Sequence, residues 1–148
     1  MEIWASFPGH YNNKLPVMEE LEKLFLDYPP EKWTDDASIE YRKESGETIR
    51  LVIVHHSKFG FWLQYEKETL TENSENYFSL GDVNRLDRYV ELVEDSLTLE
   101  GLFVLPINAW RAVKYFISTE GSRTDKIHWI SETDIPSGKH WLIAADCL

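Results

Sequence analysis

Apolar residues recur along the chain with two periods, and each change of period marks an element. Behind Pro16, the residues Val17, Leu21, Leu24, Phe25 and Tyr28 follow at helical spacing and form one stripe. Pro16 stands where the first helical N–H needs no partner, and Glu19, Glu20 and Glu22 lie where the helix dipole favours acids. Pro29-Pro30 stops the run. A second stripe, Ile107, Trp110, Val113, Phe116 and Ile117, follows Pro106, with Gly121 as its stop.

The rest of the chain reads as strands. Glu2 to Phe7 alternates weakly and predicts an edge strand ended by Pro8-Gly9. Ser38 to Lys43 and Thr48 to His55 are two strands around the hairpin loop Glu44-Ser45-Gly46-Glu47. The unbroken apolar run Leu51 to Val54 marks a central strand, and Phe59 to Tyr65 a third, with Gly60 at its bulge or start. Lys67 to Glu75 reads as a polar loop, Tyr77 to Leu80 as a short strand and Gly81-Asp82 as a turn. Tyr89 to Val93 alternates, with Val90 and Leu92 on one face. Gly101 to Val104 leads into Pro106 as a strand end; Ile127 to Ile130 and His140 to Ala145 complete the strands. Strand runs flanked by two separate helices predict the α+β class: a mostly antiparallel sheet packed against two main helices in a single layer. With no repeat, low-complexity tract or linker, residues 1–148 read as a single domain.

Composition narrows the function. A chain that is 43% hydrophobic and 14% aromatic is not disordered, and 148 residues can bury a real core. The net charge of −11 repels a phosphate backbone, so general nucleic-acid binding is not expected; a basic protein partner is. The charge is clustered: Glu66 to Glu100 holds ten acids against Lys67, Arg85 and Arg88, and so carries −7 of the total. A solvated face is the ordinary explanation of such a run, and an acidic surface that meets a basic cleft is its competitor. On that second reading the partner-binding residues are Asp82, Asp87, Glu91, Glu94, Asp95 and Glu100.

Catalytic chemistry finds little support. The only cysteine, Cys147, allows no intrachain disulfide and has no base near it in sequence. The N-terminal MEIWASFPGH lacks a leader's basic start and apolar run, and no stretch is long and apolar enough for a membrane span, so a cytoplasmic protein is expected. His55 and His56 are strand neighbours and point to opposite faces, so they cannot share a metal; one packed and one exposed histidine is the simpler reading. No metal-ligand spacing, nucleophile elbow or glycine-rich phosphate loop is present, and neither a metal nor a cofactor is expected. His128, near Glu132 and Asp134, is the best acid–base candidate, though a strand residue beside a core tryptophan is the preferred reading of it. Trp62, Trp110 and Trp129 read as core residues. Trp4, Trp33 and Trp141 lie near element ends, where one of them is a candidate exposed anchor.

One stretch adds a resemblance. Gly101-Leu102-Phe103, Pro106, Ala109-Trp110, Ala112-Val113, Phe116, Gly121 and Ile127-x-Trp129, followed by Asp134-Ile135-Pro136, resemble the Imm1 family of bacterial immunity proteins. The upstream Tyr77-Phe78-Ser79-Leu80-Gly81-Asp82 is similar to that family's strand and turn, so the likeness spans roughly the second half of the chain. It implies a non-enzymatic antitoxin that binds a cognate toxin domain, such as a deaminase or nuclease with a basic cleft, and occludes its active site. The matched positions are apolar or turn residues, so the resemblance supplies no catalytic or toxin-contact residues. The expected partner is the toxin domain, without nucleic acid or membrane, and the chain itself is expected as a monomer or weak dimer. An acidic binding scaffold resembling the SMI1/KNR4 type is the alternative, and a small hydrolase built on His128 a third reading.

Overall fold

The computed structural model describes residues 1–8, 14–27, 33, 36–70, 74–92 and 96–135. An antiparallel sheet runs in the order β1 (Glu2–Ser6), β2 (Ala37–Arg42), β3 (Thr48–His56), β4 (Gly60–Glu68), β5 (Glu75–Leu80) and β9 (His128–Ser131). A two-residue strand, β8 (Phe103–Val104), also joins it, pairing with Phe61 and Trp62 of β4. The helices α1 (Met18–Leu26) and α2 (Pro106–Ser118) cover one face, so the α+β expectation holds.

Alternation assigns the faces. Ile39 and Tyr41 of β2, Ile49, Leu51 and Ile53 of β3, and Phe61, Leu63 and Tyr65 of β4 are buried on the helix side. Leu21, Leu24 and Phe25 of α1 and Ala109, Trp110, Ala112, Val113 and Phe116 of α2 meet them. Val17 and Ile107, the first position of each predicted stripe, are exposed instead, at 59% and 42%. Aromatic rings tie the layer together: Phe25 lies 4.9 Å from Phe61 and 5.5 Å from Trp33, in tilted geometries that suit aromatic quadrupoles. Two tyrosines pin the end of α2 to the sheet, Tyr65 Oη donating to the Gly121 carbonyl at 2.8 Å and Tyr41 Oη to that of Ile117 at 3.4 Å. Burial, with Glu75 adding to it at Tyr65 and Glu120 at Tyr41, pushes both phenols up to about 12, so they stay neutral donors.

The second face is divided. Val54, Trp62 and Phe78 are buried under a small ribbon, β6 (Tyr89–Glu91) paired with β7 (Leu97–Leu99), and under Leu86, Leu102 and Phe103. The sequence pattern marks β6 but neither β7 nor its separation from the main sheet. The other half of this face, beside β1 and the far ends of β2 to β5, has no cover among the described residues.

At β4 the strand pairing changes hands. Its C-terminal half pairs with β5, from Gln64↔Phe78 to Lys67↔Glu75, and its N-terminal half with β8. At the junction the Leu63 N–H donates to Ser79 Oγ at 3.0 Å, and that hydroxyl donates to the Leu102 carbonyl at 2.6 Å. Gly81 lets the crossing backbone approach, since a Cβ there would sit 1.9 Å from the Phe103 carbonyl oxygen. The predicted polar loop from Lys67 begins later: β4 runs to Glu68 and β5 starts at Glu75. The predicted strand His140 to Ala145 lies outside the described residues.

Candidate functional site

The acids picked out by charge divide into two groups. Asp82 caps the 3-10 turn Val83–Arg85: one carboxylate oxygen accepts from the Asn84 N–H at 2.9 Å and the other lies 3.3 Å from Arg85. Glu100 is 12% exposed, its Oε2 lying 3.1 Å from Arg85 and 3.8 Å from Arg88. These two partner-binding candidates are paired with arginines of the ribbon region and hold its turns. Asp87 and Glu91 are exposed, and no base pairs with them among the described residues. Glu94 and Asp95 lie outside the described residues.

The sheet builds a second acidic surface that the linear charge count does not show. On the uncovered half of the second face, register sets Trp4 beside Glu40, Glu40 beside Arg50, Arg50 beside Glu66 and Glu66 beside Asn76. Asn76 Nδ2 donates to Glu132 Oε2 at 2.8 Å, and Gln64 Nε2 donates to Asn76 Oδ1 at 3.1 Å. The row therefore alternates acid, base, acid, amide, acid across the four strands β2 to β5 and the turn that follows β9. Glu2 and Arg42 flank it at the β1 end, and Glu68 follows Glu66 at the next outward position of β4. Five carboxylates (Glu2, Glu40, Glu66, Glu68 and Glu132) thus face two guanidiniums (Arg42 and Arg50).

The row has internal order. The Arg42 guanidinium lies 2.6 Å from Glu40 and 4.5 Å from the Trp4 ring centre, and Trp4 Nε1 donates to Glu2 at 3.2 Å. Trp4 is 40% exposed and is the tryptophan of the three end-of-element candidates that the structure leaves open; Trp33 is buried at 8%, and Trp141 lies outside the described residues. A groove of about 370 Å³ opens beside Glu66, Glu68, Asn76 and Glu132. Burial raises the Glu66 carboxyl above its ordinary value; Arg50 opposes the rise, while Glu68, Glu132 and Glu40 add to it. The excess of negative charge on this face is therefore felt by its own side chains. A sequence signal for the row exists in the period-2 positions Glu40, Arg50 and Glu66, but only the strand register reveals that they are neighbours.

The histidines do not make a centre. His55 packs on the helix side, 5.7 Å from Trp33 and 4.9 Å from Phe61, and His56 packs on the other side, 4.9 Å from Phe59. Both are half-buried, so neither is the exposed partner expected from sequence, and burial lowers both below the usual histidine value. His128 is exposed at the start of β9, and no hydrogen bond or ion pair joins it to Glu132, which is bound to Asn76, or to Asp134. It borders a cleft of about 450 Å³ that also contains Lys58, Arg85 and Lys126, a mixed lining without an assembled acid–base pair. Among the described residues no three metal-ligating side chains converge, and no helix is long and apolar enough to cross a membrane. Compared with protein families, curated proteins and solved structures, the chain shows no significant match in any of the three.

Proposed function

We propose that this chain is an immunity protein, a non-enzymatic antitoxin that binds a toxin domain with a basic active-site cleft and occludes it. The observation that carries the reading is the uncovered half-face of the sheet, where five carboxylates stand in register around two arginines with Trp4 at the margin. An array of acids held on one sheet face, with Glu2, Glu40 and Glu132 hydrogen-bonded within it, suits a cleft built to hold phosphates, because several of its charges are already positioned before binding. The likeness of residues 77–82 and 99–136 to Imm1 proteins supports the same function. No cofactor enters this mechanism: inhibition is steric and electrostatic.

The test is co-expression with the product of the adjacent gene, which an antitoxin role predicts to be a toxin. Cells should survive with the wild-type chain and die without it. If the neighbour is harmless, or if it kills regardless of this chain, the antitoxin reading falls and the acidic scaffold alternative takes its place. In vitro, Glu40→Lys, Glu68→Lys and Glu132→Lys together should weaken toxin binding by ~10–100-fold, mostly through slower association, with the loss shrinking as salt rises. Asp87→Lys with Glu91→Lys is the matching variant of the ribbon, and the larger loss identifies which acidic surface meets the toxin.

A further inference from the structure

We propose that the outer edge of β1 is a strand-addition site, which accepts an extended segment of the partner carrying basic side chains on one face and apolar side chains on the other. The inference deepens the antitoxin reading and rests on it for the partner's identity. β1 is the end strand of the sheet among the described residues: only β2 pairs with it, and no described residue pairs with the backbone groups on the outer side of Glu2–Ser6. Edge strands are commonly blunted by lysine, proline or a bulge, and β1 has none of these: its register with β2 is unbroken over all five residues. The other edge, β9, is four residues long, follows Arg123 and Lys126 and runs directly into a tight turn, so it is both shorter and flanked by cations.

The chemistry of an added strand follows from alternation. Its residue opposite Trp4 would extend the row Trp4–Glu40–Arg50–Glu66 by one position, next to Glu2 and within the field of the five carboxylates. Lysine or arginine fits there, where it can also lie against the open Trp4 ring. Its neighbours in sequence would turn to the helix side beside Ile3 and Ala5; Ile3 is 37% exposed on an otherwise apolar surface, so valine, isoleucine or leucine fits that face. A second copy of this chain fits less well: its own β1 offers a glutamate and no base, and each copy carries −11.

The test uses two heptapeptides, one alternating lysine with valine and one alternating glutamate with valine, titrated into the full-length protein and read by amide hydrogen exchange. The lysine peptide should slow exchange of the outward amides within residues 2–6 by about 10-fold or more, and the glutamate peptide should not. Ile3→Lys and Trp4→Lys, both at positions more than a third exposed, should each reduce lysine-peptide affinity by about 10-fold while the chain stays folded, as its circular dichroism shows. Binding of the lysine peptide without protection of β1, equal effects of the two peptides, or wild-type affinity in both variants would overturn the proposal. So would protection of β1 that depends on protein concentration and strengthens with salt, the signature of a second copy. If the peptides fail while the chain still neutralises the toxin, strand addition alone falls; if they succeed while no neighbouring toxin is neutralised, the antitoxin reading falls and the site stands.

Discussion

Ser79→Ala tests the junction that joins the sheet to the second helix. Ser79 is fully buried, and its hydroxyl stands in for a missing stretch of strand ladder, accepting from the Leu63 N–H at 3.0 Å and donating to the Leu102 carbonyl at 2.6 Å. Alanine fits the space but strands both groups in a site closed to water. An unsatisfied buried polar group costs about 1–3 kcal/mol, with a carbonyl toward the low end, so the pair should cost about 2–4 kcal/mol. For a chain of this length that lowers the melting temperature by roughly 5–12 °C, and it moves the urea midpoint by about 1–2 M at an unchanged m-value. Urea unfolding followed by tryptophan fluorescence measures the loss. Exchange of the Leu63 amide should quicken more than that of Leu51 in the neighbouring strand, because the damage begins where β4 passes from β5 to β8. A loss below ~1 kcal/mol would refute the reasoning, since it would mean that water or backbone adjustment replaces the hydroxyl at little cost.

Three further predictions use other local imbalances. Thr98 is fully buried in the ribbon and its Oγ1 has no hydrogen-bond partner among the described residues, so the isosteric Thr98→Val should stabilise by about 1 kcal/mol; a loss of stability in urea would show that the hydroxyl is bonded. Glu120, just past the C-cap Thr119 of α2, sits at φ 55°, with the Gly121 N–H reaching back to the Phe116 carbonyl at 2.9 Å and its own to that of Ile117 at 3.2 Å. Left-handed backbone is costly for glutamate, and its charge lies at the wrong end of the helix dipole, so Glu120→Gly should raise the melting temperature by about 2–4 °C, with no change counting against the strain. The raised Glu66 carboxyl means that the native state holds its proton more tightly than the unfolded chain, so its contribution to stability falls as pH rises through the raised value. Glu66→Gln should therefore match the wild type at pH 3 and exceed it at pH 7 by about 0.5 kcal/mol, a half-exposed site being partly screened; a variant less stable than the wild type at pH 7 would show that attraction to Arg50 outweighs burial.

Where burial and periodicity coincide, the chain is legible. Leu21, Leu24 and Phe25 mark α1, Trp110, Val113 and Phe116 mark α2, and Leu51 to Val54 mark a strand covered on both sides, because one buried face imposes one spacing. The same rule misplaces Val17 and Ile107, which keep the spacing but sit at helix starts that the core does not cover, Val17 as the extended N-cap of α1. It misses the end of β4 and the start of β5, where the outward positions Glu66, Glu68 and Asn76 are polar and backbone pairing and side-chain hydrogen bonds, rather than an apolar face, hold the strands. It also misses β7, whose three residues are organised by β6 rather than by the main sheet.

The sequence by itself determined the fold class, the two helices, most strands and a strong negative charge, since these follow from composition and from contacts a few residues apart. The tertiary structure decided what that charge can do. Asp82 and Glu100 fall within reach of Arg85 and Arg88 and become internal ties, while Glu40, Glu66 and Glu132, far apart in the chain, become neighbours across the sheet. Coulombic interaction depends on distance in space, and strand register sets that distance between residues whose separation along the chain carries no trace of it.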